Sequence, residues 1–311
     1  MSRSPPPPAI SDRVVFLVNP ASDNGATGRR WPELAHQLAQ AGLAGDALFS
    51  ERRGHLIELA RDAADAGATL LVVVGGDGSV NEAAQALAGR EGVDLAVLPR
   101  GTGTDFVREF GISTRPAEAA AVALGGRART LDLGRVTYRA WAGGEAVGWF
   151  ANVASAGMSG AIAKRTNESS KAMGGKASYL WSTLAVFSRW RADDVTVSVD
   201  GERREATMHD VIVANCRYFG GGMKICPEAV PDDGLFDVLL LGDLSKRDLV
   251  TTLPKAYSGK HLPHPKAELL RGAVVTVDAE EPLPVELDGE QPGTTPARFE
   301  VVPGALRLRV P

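Results

Sequence analysis

The 311-residue chain is 44% hydrophobic and 23% charged, an ordinary globular composition that excludes disorder as its bulk state and leaves room for two domains with full cores. Its formal net charge of −4 speaks against a dedicated nucleic-acid binder, which carries a basic excess, so any membrane contact has to come from a local patch. Cys216 and Cys226 form neither a CxxC pair nor a metal-ligand spacing and read as reduced structural thiols of a cytoplasmic protein.

Residues 1–10 carry four consecutive prolines and read as a disordered tail, neither a signal peptide nor a membrane helix. No later stretch reaches the roughly 18–20 uninterrupted apolar residues of a membrane span. From residue 11 to 134, short apolar runs alternate with helical patterns. Val14–Val18 reads as a buried strand ending at Asn19-Pro20, and a helix with Trp31, Leu34 and Leu38 on one face follows. Ala47–Phe49 is a second strand, followed by a helix from Gly54 to Ala66. Thr69–Val74 is a third strand, and a helix with Val80, Ala83, Ala84 and Leu87 on one face follows it. Leu95–Leu98 is a fourth strand, broken at Pro99. Such alternation indicates a parallel α/β sheet, in which ligands bind beyond the carboxyl ends of the strands. Every unusual loop falls at such an end: Asn19, Ser50, Gly75–Asn81 and Gly101–Asp105.

From residue 135 to 311 strand-like segments dominate, at Arg135–Tyr138, Val147–Asn152, Val195–Val199, Asp210–Ala214, Phe236–Leu241, Ala273–Val277 and Leu306–Val310. They read as a second, mainly antiparallel β-sandwich domain. One helical interval, Lys176–Trp190, is apolar around most of its circumference, and Lys164, Arg165, Lys171, Lys176, Arg189 and Arg191 flank it. It reads either as a helix packed on the sheet or as a surface that docks on anionic lipid.

Two glycine-rich turns carry the chemistry. In Gly75-Gly76-Asp77-Gly78-Ser79-Val80-Asn81 the glycines permit positive φ and close approach of backbone amides to a ligand. The helix behind them aims its free N–H groups at the same place, an arrangement suited to phosphate. The turn is neither GxxxxGK[ST] nor GxGxxG; the plain alternative is a tight turn with Asp77 as the helix cap. In Gly101-Thr102-Gly103-Thr104-Asp105, Thr102 offers a hydroxyl to phosphate and Asp105 a carboxylate to Mg²⁺. The pair suggests a nucleotide held between two loops.

These runs, GGDGSVNE and PRGTGTDFVREF, resemble the catalytic domain of diacylglycerol kinases, in particular the soluble bacterial lipid kinases. The resemblance continues through Ser50 and Gly54-His55, Asp132-Leu133-Gly134, Asn152–Gly157, Asn215 with Gly220–Met223, Pro227–Gly234, and Leu287-Asp288-Gly289-Glu290. It implies a nucleotide-binding α/β domain of the diacylglycerol-kinase and NAD-kinase type before a β-sandwich domain. ATP would be held by Ser50, the loop Gly75, Gly76, Asp77, Gly78, Ser79, Val80 and Asn81, and by Thr102, with Asp105 beside it. Ser50 stands where threonine is usual, and Thr104 where asparagine is common. The resemblance further implies Asp288 as general base with Glu290 in support, although Asp-Gly is also a favoured hairpin turn and Asp77 is a rival base. A structural Mg²⁺ would be bound by Asp233 and the carbonyls of Val230 and Leu235. The implied activity is ATP-dependent phosphorylation of a lipid hydroxyl, at the inner face of the membrane by transient contact and with no nucleic-acid partner. A nucleotide kinase acting on NAD and a non-catalytic ATP-responsive regulator are the alternatives.

Overall fold

The computed structural model describes residues 13–101, 103–168 and 175–311, with only the backbone of 175–179; the segment 1–10, Thr102, Lys171 and the Lys176 side chain lie outside the described residues. The first half is a parallel sheet with helices on both faces. Strands β1 (Val14–Val18), β2 (Asp46–Phe49), β3 (Leu70–Gly75) and β4 (Asp94–Pro99) are ordered β2-β1-β3-β4, every pair parallel. Between them run α1 (Ala26–Gln40), α2 (His55–Asp65) and α3 (Asp77–Leu87), and after them α4 (Asp105–Glu109) and α5 (Pro116–Gly125).

The near-continuous apolar run of β3 has a simple cause, because successive side chains enter different cores. Leu70, Val72 and Val74 pack with α1 and α5, while Leu71 and Val73 pack with α2 and α3. The carboxyl ends of β1 to β4 therefore share one edge, and they carry Asn19, Ser50 and the two glycine turns, as their order along the chain implied.

β5 (Arg127–Ala140) passes through position 134 as one strand and turns back into β6 (Glu145–Phe150). The rest is antiparallel: β7 (Val153–Gly157), helices α6 (Met158–Glu168) and α7 (Gly175–Phe187), then β8 (Asp193–Val199) and β9 (Glu202–Ala214). A small ribbon, β10 (Tyr218–Phe219) and β11 (Met223–Lys224), precedes β12 (Phe236–Gly242), α8 (Lys246–Ala256), β13 (Ala267–Gly272), β14 (Val274–Ala279), β15 (Pro284–Leu287) and β16 (Glu290–Val310). The two long strands change partners midway. β9 pairs first with β8 and then with β7. β16 pairs with β15, then β14, and at Leu308 meets Leu95 of β4. The second half thus wraps around its own core of Phe150, Phe236 and Phe299, and the last strand returns to the edge of the first sheet.

The helical interval ends at Phe187 rather than Trp190. Neither cysteine is bonded, and both are buried. No helix among the described residues is long and apolar enough to cross a membrane.

Candidate active site

The glycine turn after β3 is built for closeness rather than for unusual dihedrals. None of Gly75, Gly76 and Gly78 has a positive φ, so the expectation that they supply left-handed backbone is corrected. A Cβ on Gly75 would lie 2.4 Å from Ser79 Oγ, so only glycine lets the first turn of α3 sit so near the strand end. Ser79 Oγ in turn accepts from Asn19 Nδ2 at 3.0 Å, which ties this turn to the end of β1. Around Gly78 an added Cβ would meet nothing within 4 Å, so this glycine leaves open space over the helix N-terminus, whose first N–H groups have no intrahelical acceptor. The second turn packs against the first: a Cβ on Gly101 would come within 2.9 Å of Gly76 Cα. Ser50, buried at the end of β2, donates its N–H to Val18 O at 2.9 Å.

Asp77 is the first residue of α3 and caps a different helix. Gly76 is the N-cap of α3 and no side chain caps it. The Asp77 carboxylate instead accepts from the N–H groups of Asp105 at 3.1 Å and Phe106 at 3.4 Å, at the start of α4. Burial, reinforced by the charge of Asp105, pushes its carboxyl up to about 7. Asp105, itself buried, accepts from Gly221 N–H at 2.7 Å and pairs with Arg108 at 3.0 Å. Gly220, Gly221 and Gly222 all have positive φ; here the glycines are needed for their conformation, and they carry a backbone donor from the second half to the first.

Asp288 makes a further link between the halves. It sits at φ 47° in the turn between β15 and β16. One carboxylate oxygen accepts from Ala151 N–H at 2.8 Å and Asn81 Nδ2 at 2.8 Å. The other accepts from the N–H groups of Asn152 and Val153, each at 3.0 Å. Asn81 Nδ2 also reaches Trp149 O at 3.1 Å, and Gln85 holds its Oδ1 at 2.6 Å. Burial nevertheless pushes the Asp288 carboxyl up, against the pull of those four donors. A carboxylate has about four lone-pair positions, and all four are in use. These donors make the expected general base a clamp between the halves.

Glu290, two residues on, is half-exposed and pairs with Arg53 beside the helix carrying His55. Buried Glu286 accepts from Gly289 N–H and from Ser155 Oγ at 3.2 Å, and burial holds its carboxyl well above the usual range. Glu82 accepts from Gly54 and Leu56 N–H, each at 3.0 Å, and so fixes the start of α2 to α3. Arg53, Glu286 and the amides of Ala151–Val153 were not singled out as site residues from the sequence. The amides leave no signature in side-chain identity, while Arg53 is an unremarkable surface residue until Glu290 is folded against it.

The expected metal set of Val230, Asp233 and Leu235 lies in the loop between β11 and β12. One Asp233 oxygen accepts from Leu235 N–H at 3.1 Å and the other is held by Arg271. Arg271 also lies 3.5 Å from Asp237, whose carboxyl burial pushes up. Among the described residues no group of three or more His, Cys, Asp or Glu side chains is arranged to hold a metal.

Comparison with known proteins fits this geometry. Residues 13–136 match the Diacylglycerol kinase catalytic domain, and residues 152–310 match the YegS C-terminal NAD kinase beta sandwich-like domain. A "Probable lipid kinase YegS-like" protein of Pseudomonas aeruginosa is 37% identical over 83% of this chain and 82% of its own length. A "Diacylglycerol kinase" of Mycobacterium tuberculosis is 31% identical over 96% of this chain and 95% of its own. A diacylglycerol kinase structure from Bacillus anthracis str. Sterne superposes with a TM-score of 0.71 at 23% identity, covering 96% of this chain and 97% of that one, a likeness of fold.

Proposed function

Since the chain belongs to the family of the Diacylglycerol kinase catalytic domain, we propose that it transfers the γ-phosphoryl group of ATP to a hydroxyl of a membrane lipid such as diacylglycerol. The observation that carries this reading is the Asn81–Asp288 hydrogen bond of 2.8 Å. It joins the glycine turn of the parallel sheet to an acidic turn of the antiparallel half, so the donor and acceptor sides lie next to each other.

Residues 11–134 supply the nucleotide side, with Ser50, Gly75–Asn81 and Thr102 around ATP, and residues 135–311 the acceptor side. Phosphoryl transfer asks the protein for positioning and charge neutralisation rather than covalent chemistry. The N-terminus of α3 and its bare glycine backbone offer donors to phosphate oxygens. Asp77 and Asp105 fit Mg²⁺ bound with the nucleotide. The charge of Asp105 raises the cost of charging Asp77, and a divalent cation shared with phosphates needs only one or two carboxylates. Bound there, the cation would offset the charge of the phosphate oxygens.

The acceptor hydroxyl must lose a proton. Asp288 is saturated with donors, and Asp77 is engaged with α4 and suited to the cation. That leaves Glu290, which has free lone pairs beside the clamp and a surface ion pair with Arg53 worth no more than about 1 kcal/mol. Glu290 takes the proton, and Asp288 fixes the turn that presents it.

The test is incubation with γ-labelled ATP and a lipid panel, followed by solvent extraction and mass spectrometry of the product. Label in the organic phase on diacylglycerol or a related alcohol supports the proposal. Label left in water on NAD would transfer the reading to a nucleotide kinase, and no transfer to any acceptor would leave only an ATP-responsive regulator.

A further inference from the structure

The face of the sheet that α6 covers carries a side chain that burial disfavours. Along β15, Val285 and Leu287 enter the second core, so Glu286 points the other way, to the side where Gly160 of α6 packs on Pro284. Glu286 is completely buried. Ser155 stands directly across from it on β7. Nearby on β9, buried Asp210 accepts from Ser159 N–H at 2.8 Å, in the first turn of α6. The charges of Asp288 and Asp210 add to burial in pushing the Glu286 carboxyl up. An apolar residue would fill this strand position without that cost, so packing does not account for a glutamate here.

The carboxyl instead holds a turn. Asp288 and Gly289 form a two-residue loop between the paired residues Leu287 and Glu290. Their φ angles are 47° and 91°, the signs that a type I′ hairpin turn requires. The ladder offers no partner to the two central N–H groups of such a loop, and both are anchored from outside it. Asp288 N–H donates to Val153 O at 3.0 Å, and Gly289 N–H donates to Glu286 Oε1. Gly289 O is held from α6 by Asn167 Nδ2 at 2.9 Å. The Gly289 N–H belongs to the central peptide of the turn, whose reversal converts type I′ into type II′, and glycine places no steric bar against that reversal. The second Glu286 oxygen lies 3.2 Å from Ser155 Oγ, a contact that keeps Oε1 on the amide.

We propose that Glu286 is a positioning residue for the phosphoryl transfer. By holding the Gly289 amide it sets the conformation of the acidic turn, and with it the direction in which Glu290 meets the acceptor hydroxyl. It acts through the turn, from beneath, and not on the reacting atoms. The inference deepens the lipid-kinase reading and rests on it.

Two substitutions in the full chain separate reach from charge. Glu286→Gln keeps an oxygen at the same length for Gly289 N–H and offers an NH₂ to Ser155. Glu286→Asp keeps the carboxyl but falls one methylene short of the amide. With γ-labelled ATP and a short-chain diacylglycerol, the glutamine variant is expected to retain kcat within about twofold, since its hydrogen bond is conserved. The aspartate variant should lose about 10–10²-fold in kcat, the scale of a misplacement by an ångström, at an unchanged KM for ATP. Hydrogen exchange at the Gly289 amide, followed without acceptor, should be as slow in the glutamine variant as in the parent and about tenfold faster in the aspartate variant. Glu286→Leu removes the acceptor and the buried carboxyl together; it should follow the aspartate variant and replaces it should that one not fold.

Parent-like kcat without the acceptor, or a glutamine variant as slow as the aspartate one, overturns the proposal. So does a loss of ATP affinity and melting temperature in step with kcat, the mark of a merely structural residue. A parent that labels no lipid refutes the kinase reading instead. Exchange at Gly289 then still decides whether Glu286 holds the turn, and equal exchange in every variant overturns that too.

Discussion

Replacing Asp288 by asparagine separates a clamp from a base. The carboxylate accepts from three backbone N–H groups and from Asn81. An asparagine keeps one acceptor oxygen and turns the other position into a donor. The less costly placement keeps the oxygen on Asn152 and Val153 and points the new NH₂ at Ala151 N–H and Asn81. Asn81 can then turn its own oxygen inward only if Gln85, which now donates to that oxygen at 2.6 Å, turns as well. The Ala151 N–H has no such remedy and stays buried and unpaired, at a cost of about 1–3 kcal/mol. Two hydrogen bonds to a charged acceptor also become bonds to a neutral one, for roughly 1 kcal/mol more. Asp288→Asn should therefore lower stability by about 2–4 kcal/mol, seen as a lower urea midpoint and melting temperature, together with lost turnover. Glu290→Gln disturbs only an exposed pair. It should melt within about a degree of the parent while kcat falls by about 10²–10⁴ and ATP affinity is kept. The reasoning is refuted if Asp288→Asn is as stable as the parent but inactive while Glu290→Gln turns over normally, for then Asp288 is the proton acceptor after all.

Two further outcomes test the nucleotide side. The folded pKa of Asp77, at about 7, lies above that of an unfolded aspartate, so the folded chain binds the extra proton and this group's contribution to stability declines as pH rises from about 4 to 7. Mg²⁺ with ATP must displace that proton, so the ligand should raise the melting temperature more at about pH 8 than at about pH 6, and Asp77→Asn should flatten the difference. Buried Asp210, also pushed to about 7, adds a slope of the same sign, so the parent-minus-variant difference is the quantity to measure. In the glycine turn, Gly75→Ala drives a Cβ onto Ser79 and should destabilise by about 1–3 kcal/mol. Gly78→Ala meets nothing and should fold normally yet bind ATP more weakly by isothermal titration; unchanged affinity would remove Gly78 from the nucleotide surface.

The first half was legible because its signals are local. β3 is buried along its whole length, its apolar run is unbroken, and each strand end carries its own glycine, asparagine or serine. The second half hid its strands for three physical reasons. β7 is central but made of small residues, Val153-Ala-Ser-Ala-Gly157, which give no strand signature, and α6 lies close upon its neighbour β15, where a Cβ on Gly160 would come within 2.7 Å of Pro284 O. The front of β9, Glu202–Thr207, is mostly exposed and polar and pairs with β8 as an outer hairpin. β16 contains Pro292, Pro296 and Pro303, and reads as loop until the register shifts after Thr294 and Val302 are seen to accommodate irregular backbone in one continuous strand. The acidic turn was found, but the donors around Asp288 were not, because three of the four are backbone amides more than a hundred residues away.

The clamp bears on how an acceptor enters. Two halves could work as jaws that open and close, yet β5 runs through the junction and β16 joins both sheets. Across the cleft, Asn81 holds Asp288, Asp105 holds Gly221, and Glu109 pairs with Arg217 at 2.9 Å. Opening such jaws would strand a buried carboxylate at more than one point, and each stranded group costs more than an ordinary lost hydrogen bond. On the proposed lipid-kinase reading, an acceptor would therefore reach the acidic turn with less disruption from the α6 side, where Asn167 bridges to Gly289. On that reading the clamp has a purpose: with the acceptor arriving from a fluid interface, the turn bearing Glu290 would have to be the fixed partner.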